Sequence, residues 1–143
     1  MCYIASMKVP EKNCDLCPRL VEFRAENRET FPDQFNAPVP AFGGLDAKVL
    51  IVGLAPGLKG AKCSGRPFNG DWAGDLLYPT LIKFGFAKGV YGAVPTDGLA
   101  MVDARITNAV RCVPPENKPV GAEINACRPF LIDEIKGMKN LRV

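Results

Sequence analysis

Residues 48–55, KVLIVGLA, form a short continuous apolar run, rich in β-branched side chains, that passes into glycine. Such a run reads as a strand buried on both faces, as in the interior of a parallel sheet. It opens onto residues 53–71, GLAPGLKGAKCSGRPFNGD, with five glycines and two prolines. This is a loop at the carboxyl end of a strand, where open parallel sheets bind their ligands. Gly53, Gly57, Gly60, Gly65 and Gly70 permit close backbone approach, so that amides can line a pocket. The stretch lacks the Gly-Lys-Ser/Thr ending of a phosphate-binding P-loop and the spacing of a dinucleotide fingerprint, which argues against a nucleoside triphosphate site. The plain alternative is a glycine-rich turn that serves chain geometry only.

Working outward, residues 19–29, RLVEFRAENRE, are arranged as a helix, with Pro18 suited to its first turn. Residues 31–46 hold three prolines and two glycines and read as an extended surface connection. After the loop, DWAGDLLYPTLIKFGF places Trp72, Leu76, Leu77, Leu81 and Phe84 at helical intervals, with Pro79 expected to kink or interrupt the helix. A second strand begins near residue 102, in VDARITNAVRC, followed by the turn-rich VPPENKP and a helical GAEINACRPFLIDEIKGM. The closing LRV reads as the start of another strand. Strands alternating with helices predict an α/β fold, a parallel sheet flanked by helices on both faces. No repeat or low-complexity tract interrupts it, and 143 residues at 48% hydrophobic suit one domain spanning 1–143.

A net charge of +3 permits a polyanionic partner without announcing one. The first ten residues show no leader pattern, and no apolar run approaches membrane-spanning length, so a cytoplasmic protein without a membrane or indicated protein partner is expected. In that compartment cysteines stay reduced, and the six here are candidates for metal ligands or buried thiols. Cys14 and Cys17 form CDLC; after a gap of 94 residues Cys112 and Cys127 form a second pair. Histidine is absent. A four-thiolate set suits an iron–sulfur cluster or structural zinc.

GLAPG, GRPFNGD, ITNAVRCVPPENKP and EINAC, in this order and combined with the four cysteines, resemble the iron–sulfur uracil-DNA glycosylases, specifically the branch called family 5 or type b. The similarity runs from Cys14 to about Leu131. Family 4 has an acid where this chain has Leu54, and its Gly-x-Pro-Phe motif comes one residue sooner. The resemblance implies a DNA-repair enzyme that hydrolyses the bond between sugar and base in DNA containing uracil or another deaminated base, after flipping the nucleotide from the stack. It implies a [4Fe-4S] cluster on Cys14, Cys17, Cys112 and Cys127, leaving out Cys2 and Cys63; zinc is the alternative. It matches Phe68 to the ring that stacks on uracil and Asn108 to the amide that reads its edge, against the alternatives of a core phenylalanine and an asparagine bonded to local backbone.

In the same reading Leu54, Ala55 and Gly57 line the base, with backbone amides of residues 54–58 facing the charge that develops on it. Asp71 positions water or stabilises the positive sugar, although it also stands where a helix cap would be useful. Lys59, Lys62 and Arg66 are candidates for phosphate contacts. Two departures stand out. Asn69 replaces a threonine of the motif, altering base preference or capping the helix. The family's later histidine-bearing motif has no counterpart here, so the chain reads as the first two-thirds of the domain, with weak or absent activity, or as a non-catalytic metal-stapled DNA-binding fragment.

Overall fold

The computed structural model describes residues 7–143; Cys2 and most of the first ten residues, on which the reading of no leader rests, lie outside them. Along the chain run α1 (Pro18–Thr30), β1 (Val49–Gly53), α2 (Ala61–Ser64), α3 (Trp72–Lys83), β2 (Ala87–Lys88), β3 (Ala100–Met101), β4 (Ala104–Asn108), a 3-10 turn (Pro115–Asn117) and α4 (Gly121–Gly137). β1 and β4 pair in parallel, with Val49 opposite Ala104 and Gly53 opposite Asn108. The combination of this pair with the helices is the expected α/β arrangement. Residue 53 therefore ends beside residue 108, which brings the two sequence motifs together.

All five residues of β4 are buried, whereas β1 is only partly so and Val52 is 45% exposed. The expectation that KVLIVGLA is covered on both faces is thus corrected. β4 is the inner strand because its other edge is closed by Phe42, which exchanges two hydrogen bonds of 2.8 Å with Ile106. The extended segment 31–46 is consequently more than a surface connection: Asn36 and Val39 are buried within it. On the far edge of β1, Val143 N donates to Lys48 O (3.1 Å) and Leu50 N to Val143 O (2.8 Å), the pattern with which a parallel ladder opens. The reading of LRV as a strand start agrees with these bonds.

Cys17 stands at the N-cap position of α1 in the extended region, without a side-chain capping bond, and Pro18 occupies the first turn, as expected. α3 runs through Pro79, which lies inside an unbroken helix. Its apolar spacing misled in part: Leu81 is buried, but Trp72, Leu76 and Phe84 are 85%, 64% and 66% exposed, and the anchor is Tyr78, fully buried. Tyr78, Leu81, Ala87, Leu99 and Ile106 form the core between α3 and β4. Each large side chain buried there contributes about 1.5–3 kcal/mol. The antiparallel β2–β3 pair, two residues per strand, is too short to leave a period in the sequence.

Candidate functional site

The strand ends build a ledge around Gly53. An added Cβ at this position would run into Asn108 Oδ1 and Phe68 Cζ, so the missing side chain is what lets the ring and the amide meet over the backbone. Asn108 is 2% exposed. Asn27, Asn36 and Asn69 each spend their amide nitrogen on a backbone carbonyl, but among the described residues Asn108 has no such tether. Phe68 is half-buried and holds φ at 58°, a left-handed conformation unusual for a bulky residue.

Three residues of or after α3 hold that conformation. The Tyr78 hydroxyl donates to Pro67 O. Tyr91, stacked on Tyr78 at 4.8 Å, accepts a bond of 2.9 Å from Gly70 N. Gly74 lies against the Phe68 carbonyl, where a Cβ would collide. Gly74 was missed by sequence reasoning; its only local signal is a glycine inside a helix.

Asp71 occupies the N-cap position of α3 by backbone, yet its carboxylate makes no capping hydrogen bond. The side chain turns to the glycine loop: a Cβ on Gly57 would stand 2.7 Å from Asp71 Oδ1, and one on Gly60 would overlap it. Partial burial pushes its carboxyl above the usual range, and Asp75 adds to the shift. Of the loop amides from 54 to 58, Pro56 has none and Leu58 N points to Asn117 Oδ1 at 3.4 Å. Leu54, at 56% exposed, flanks the open side, and its carbonyl accepts from Val110 N at 2.9 Å. Ala55 and Gly57 are half-buried beside it.

Two of the three loop cations are withdrawn from solvent, contrary to expectation. Arg66, 6% exposed, pairs with Asp97 at 2.7 Å and donates to Asn69 Oδ1 at 3.0 Å. Lys62, 3% exposed, places Nζ 3.9 Å over the Phe31 ring. Neither can meet a phosphate from these positions; only Lys59 is exposed. Asn69 neither caps the helix nor faces the ledge, since its amide donates to Ala93 O at 2.8 Å. Loop position alone carried no information about this burial.

At a second place, Cys14, Cys17, Cys112 and Cys127 line one small cavity with Leu20, Val110 and Phe130. None is in a disulfide. Burial raises the thiols of Cys17 and Cys127, and pushes Cys112 up to about 11 with Arg24 pulling against it. Cys17 feels both Cys127 and Cys14, so the pairs converge. Arg19 ties α1 to α4 through Glu123 at 2.7 Å, and buried Glu134 joins Arg105 and Arg111, each at 2.6 Å. A soft donor set in apolar surroundings fits a thiolate-bound group. Among the described residues, no three Cys, Asp or Glu side chains close tightly enough for a single metal ion. Cys63 is exposed and apart from the four. Among the described residues no helix is long and apolar enough to cross a membrane.

The family model of the uracil DNA glycosylase superfamily matches residues 40–143. A type-5 uracil-DNA glycosylase of Thermus thermophilus is 40% identical over 135 residues, covering 91% of this chain and 61% of the relative. The type-5 enzyme of Mycobacterium leprae is 42% identical over 134 residues, 86% of this chain and 58% of the relative. A type-4 uracil-DNA glycosylase of Pyrobaculum aerophilum is 38% identical, covering 92% of this chain and 54% of the relative. The chain thus spans about three-fifths of the length of the type-5 relatives described. From the extended segment before β1 through both strand ends and α4, the chain belongs to the uracil DNA glycosylase superfamily, on the side of its type-5 members.

Proposed function

We propose that the chain carries the base-recognition ledge of a DNA glycosylase that hydrolyses the bond between sugar and uracil, and the bonds of other deaminated bases, after the nucleotide has been flipped out. The observation that carries this reading is the convergence of Phe68 and Asn108 on Gly53 at the paired ends of β1 and β4. The Phe68 ring supplies a stacking floor. With Nδ2 towards the exocyclic oxygen of uracil and Oδ1 towards its ring N–H, the Asn108 amide matches uracil, whose donor–acceptor pattern is the reverse of cytosine's. Leu54, Ala55 and Gly57 form the wall beside the base.

Hydrolysis adds water across the sugar–base bond: hydroxide is delivered to the sugar carbon, the bonding pair leaves with the base, and a proton returns to it. Asp71, aimed at the glycine loop, orients that water or faces the positive sugar, while the amides of Ala55 and Gly57 face the charge leaving on the base. Cys14, Cys17, Cys112 and Cys127 would hold a [4Fe-4S] cluster, whose contribution when bound is to cross-link α1 to β4 and α4. Zinc is the alternative occupant of the same four thiols, and iron, acid-labile sulfide and zinc content separate the two. The thiol-held group suits a reducing compartment, the cytoplasm.

The test is release of free base from a uracil-containing oligonucleotide, single- and double-stranded, by the parent chain, Asn108→Ala and Asp71→Asn. Release that falls in both variants supports the reading. Release undiminished in both would sink the residue assignment, and DNA binding with no release by the parent would leave a metal-stapled binding module.

A further inference from the structure

Five arginine or lysine side chains in the described residues are buried: Arg24, Lys62, Arg66, Arg105 and Arg111. Three have carboxylates. Arg66 pairs with Asp97, and Arg105 and Arg111 share Glu134. Arg24 and Lys62 have none among the described residues, and both line the same cavity, together with Asn27, Asn36 and Cys112. The Phe31 ring, 3.9 Å from Lys62 Nζ, offsets part of the cost of burying that ammonium but brings no negative charge; two buried cations in one cavity without a carboxylate mark a place where an anion is favoured.

The geometry says where that charge sits. Arg24 donates from Nη2 to Cys14 O at 2.7 Å and from Nη1 to Cys112 Sγ at 3.6 Å, bridging one member of each cysteine pair. Lys62 reaches the cavity from α2, in the glycine loop that also presents Phe68. Four thiolates bring more negative charge than an iron–sulfur core returns, so the assembled group is anionic. We propose that Arg24 and Lys62 are positioning residues forming a cationic wall on the Cys112 side of the cluster site, Arg24 fixing the two cysteine pairs and Lys62 setting the cluster's charge balance from the base-binding loop. This rests on the cluster reading above.

Potential and retention of an iron–sulfur group respond to nearby charge and to hydrogen bonds on its sulfurs, so the two residues separate by readout. Parent chain, Lys62→Met, Arg24→Gln and Arg24→Lys are purified anaerobically, and iron, sulfide, circular dichroism and the cluster's midpoint potential are measured. Lys62→Met is expected to keep parental iron content and shift the midpoint negative, because the reduced cluster loses a favourable charge. Arg24→Gln is expected to lose most iron, with Arg24→Lys restoring part of it. A folded, fully loaded Lys62→Met with the parental potential overturns the role of Lys62, and undiminished iron in Arg24→Gln overturns that of Arg24. A folded parent chain without iron or sulfide fails the cluster reading itself, and the proposal with it.

Discussion

At the carboxyl ends of β1 and β4, Gly53, Gly57 and Gly60 leave room for Phe68, Asn108 and Asp71; around the thiols, Arg19 and Arg24 reach across 104 and 88 residues of chain to Glu123 and Cys112. The ledge is made by omitting side-chain atoms and holding Phe68 in an unfavourable backbone state. The thiol side is made by adding polar cross-links between distant segments. One region should therefore fail when something is put in, and the other when something is taken away.

The largest effect is expected on the thiol side. Glu134→Gln leaves Arg105 and Arg111 buried without their anion and should cost about 3–5 kcal/mol, read as a lower urea midpoint at unchanged slope. A midpoint within error of the parent would show that the triad is not a cross-link. On the ledge, Asp71→Asn is expected to lower base release at least about 100-fold, in the range for a positioned acid or base.

Stability should move the opposite way in that variant. The folded pKa of Asp71 is raised above its ordinary 3.8, so the protonated carboxyl favours folding and that contribution is lost as pH rises through the folded value. Asp71→Asn lacks this fall; a denaturation series across acid pH that declines as in the parent would remove the buried-carboxylate account. Such a separation of activity from stability is what distinguishes a site residue from a helix cap.

Gly53→Val should cost about 1–3 kcal/mol through overpacking while abolishing any preference for uracil, because the new side chain claims the space of Phe68 and Asn108. Parental stability and preference in this variant would break the idea that the ledge depends on an omission. The smallest effect belongs to the loop cations. Lys59→Ser should reduce the salt slope of DNA binding by about 1, whereas Lys62→Met, already buried, should leave it unchanged. Equal losses in the two variants would contradict the burial of Lys62.

These regions were unequally legible in the sequence. The apolar run, the glycine loop and the two cysteine pairs announce themselves because each is local, and the motif resemblance groups Phe68 with Asn108, which the fold brings together at Gly53. Glu134, Asp97 and Tyr78 gave no such signal. Their partners lie 23 and 29, 31, and 11 residues away, and ion pairs and side-chain hydrogen bonds across a fold leave no period in the chain. Arg66 read as a loop cation for the same reason, and α3 misled because its exposed Trp72 and Leu76 share the spacing of a buried stripe.

On the proposed function, Phe68 and Asn108 meet on Gly53 to hold and read a uracil. This is decided by the affinity of the folded chain for one single-stranded oligonucleotide carrying uracil or cytosine at the same position, with parent, Asn108→Ala and Phe68→Ala. Tighter binding of the uracil strand by the parent is expected, with loss of that preference in Asn108→Ala and weaker binding of both strands in Phe68→Ala. Equal affinity of the parent for the two strands, or a preference that survives Asn108→Ala, would contradict it.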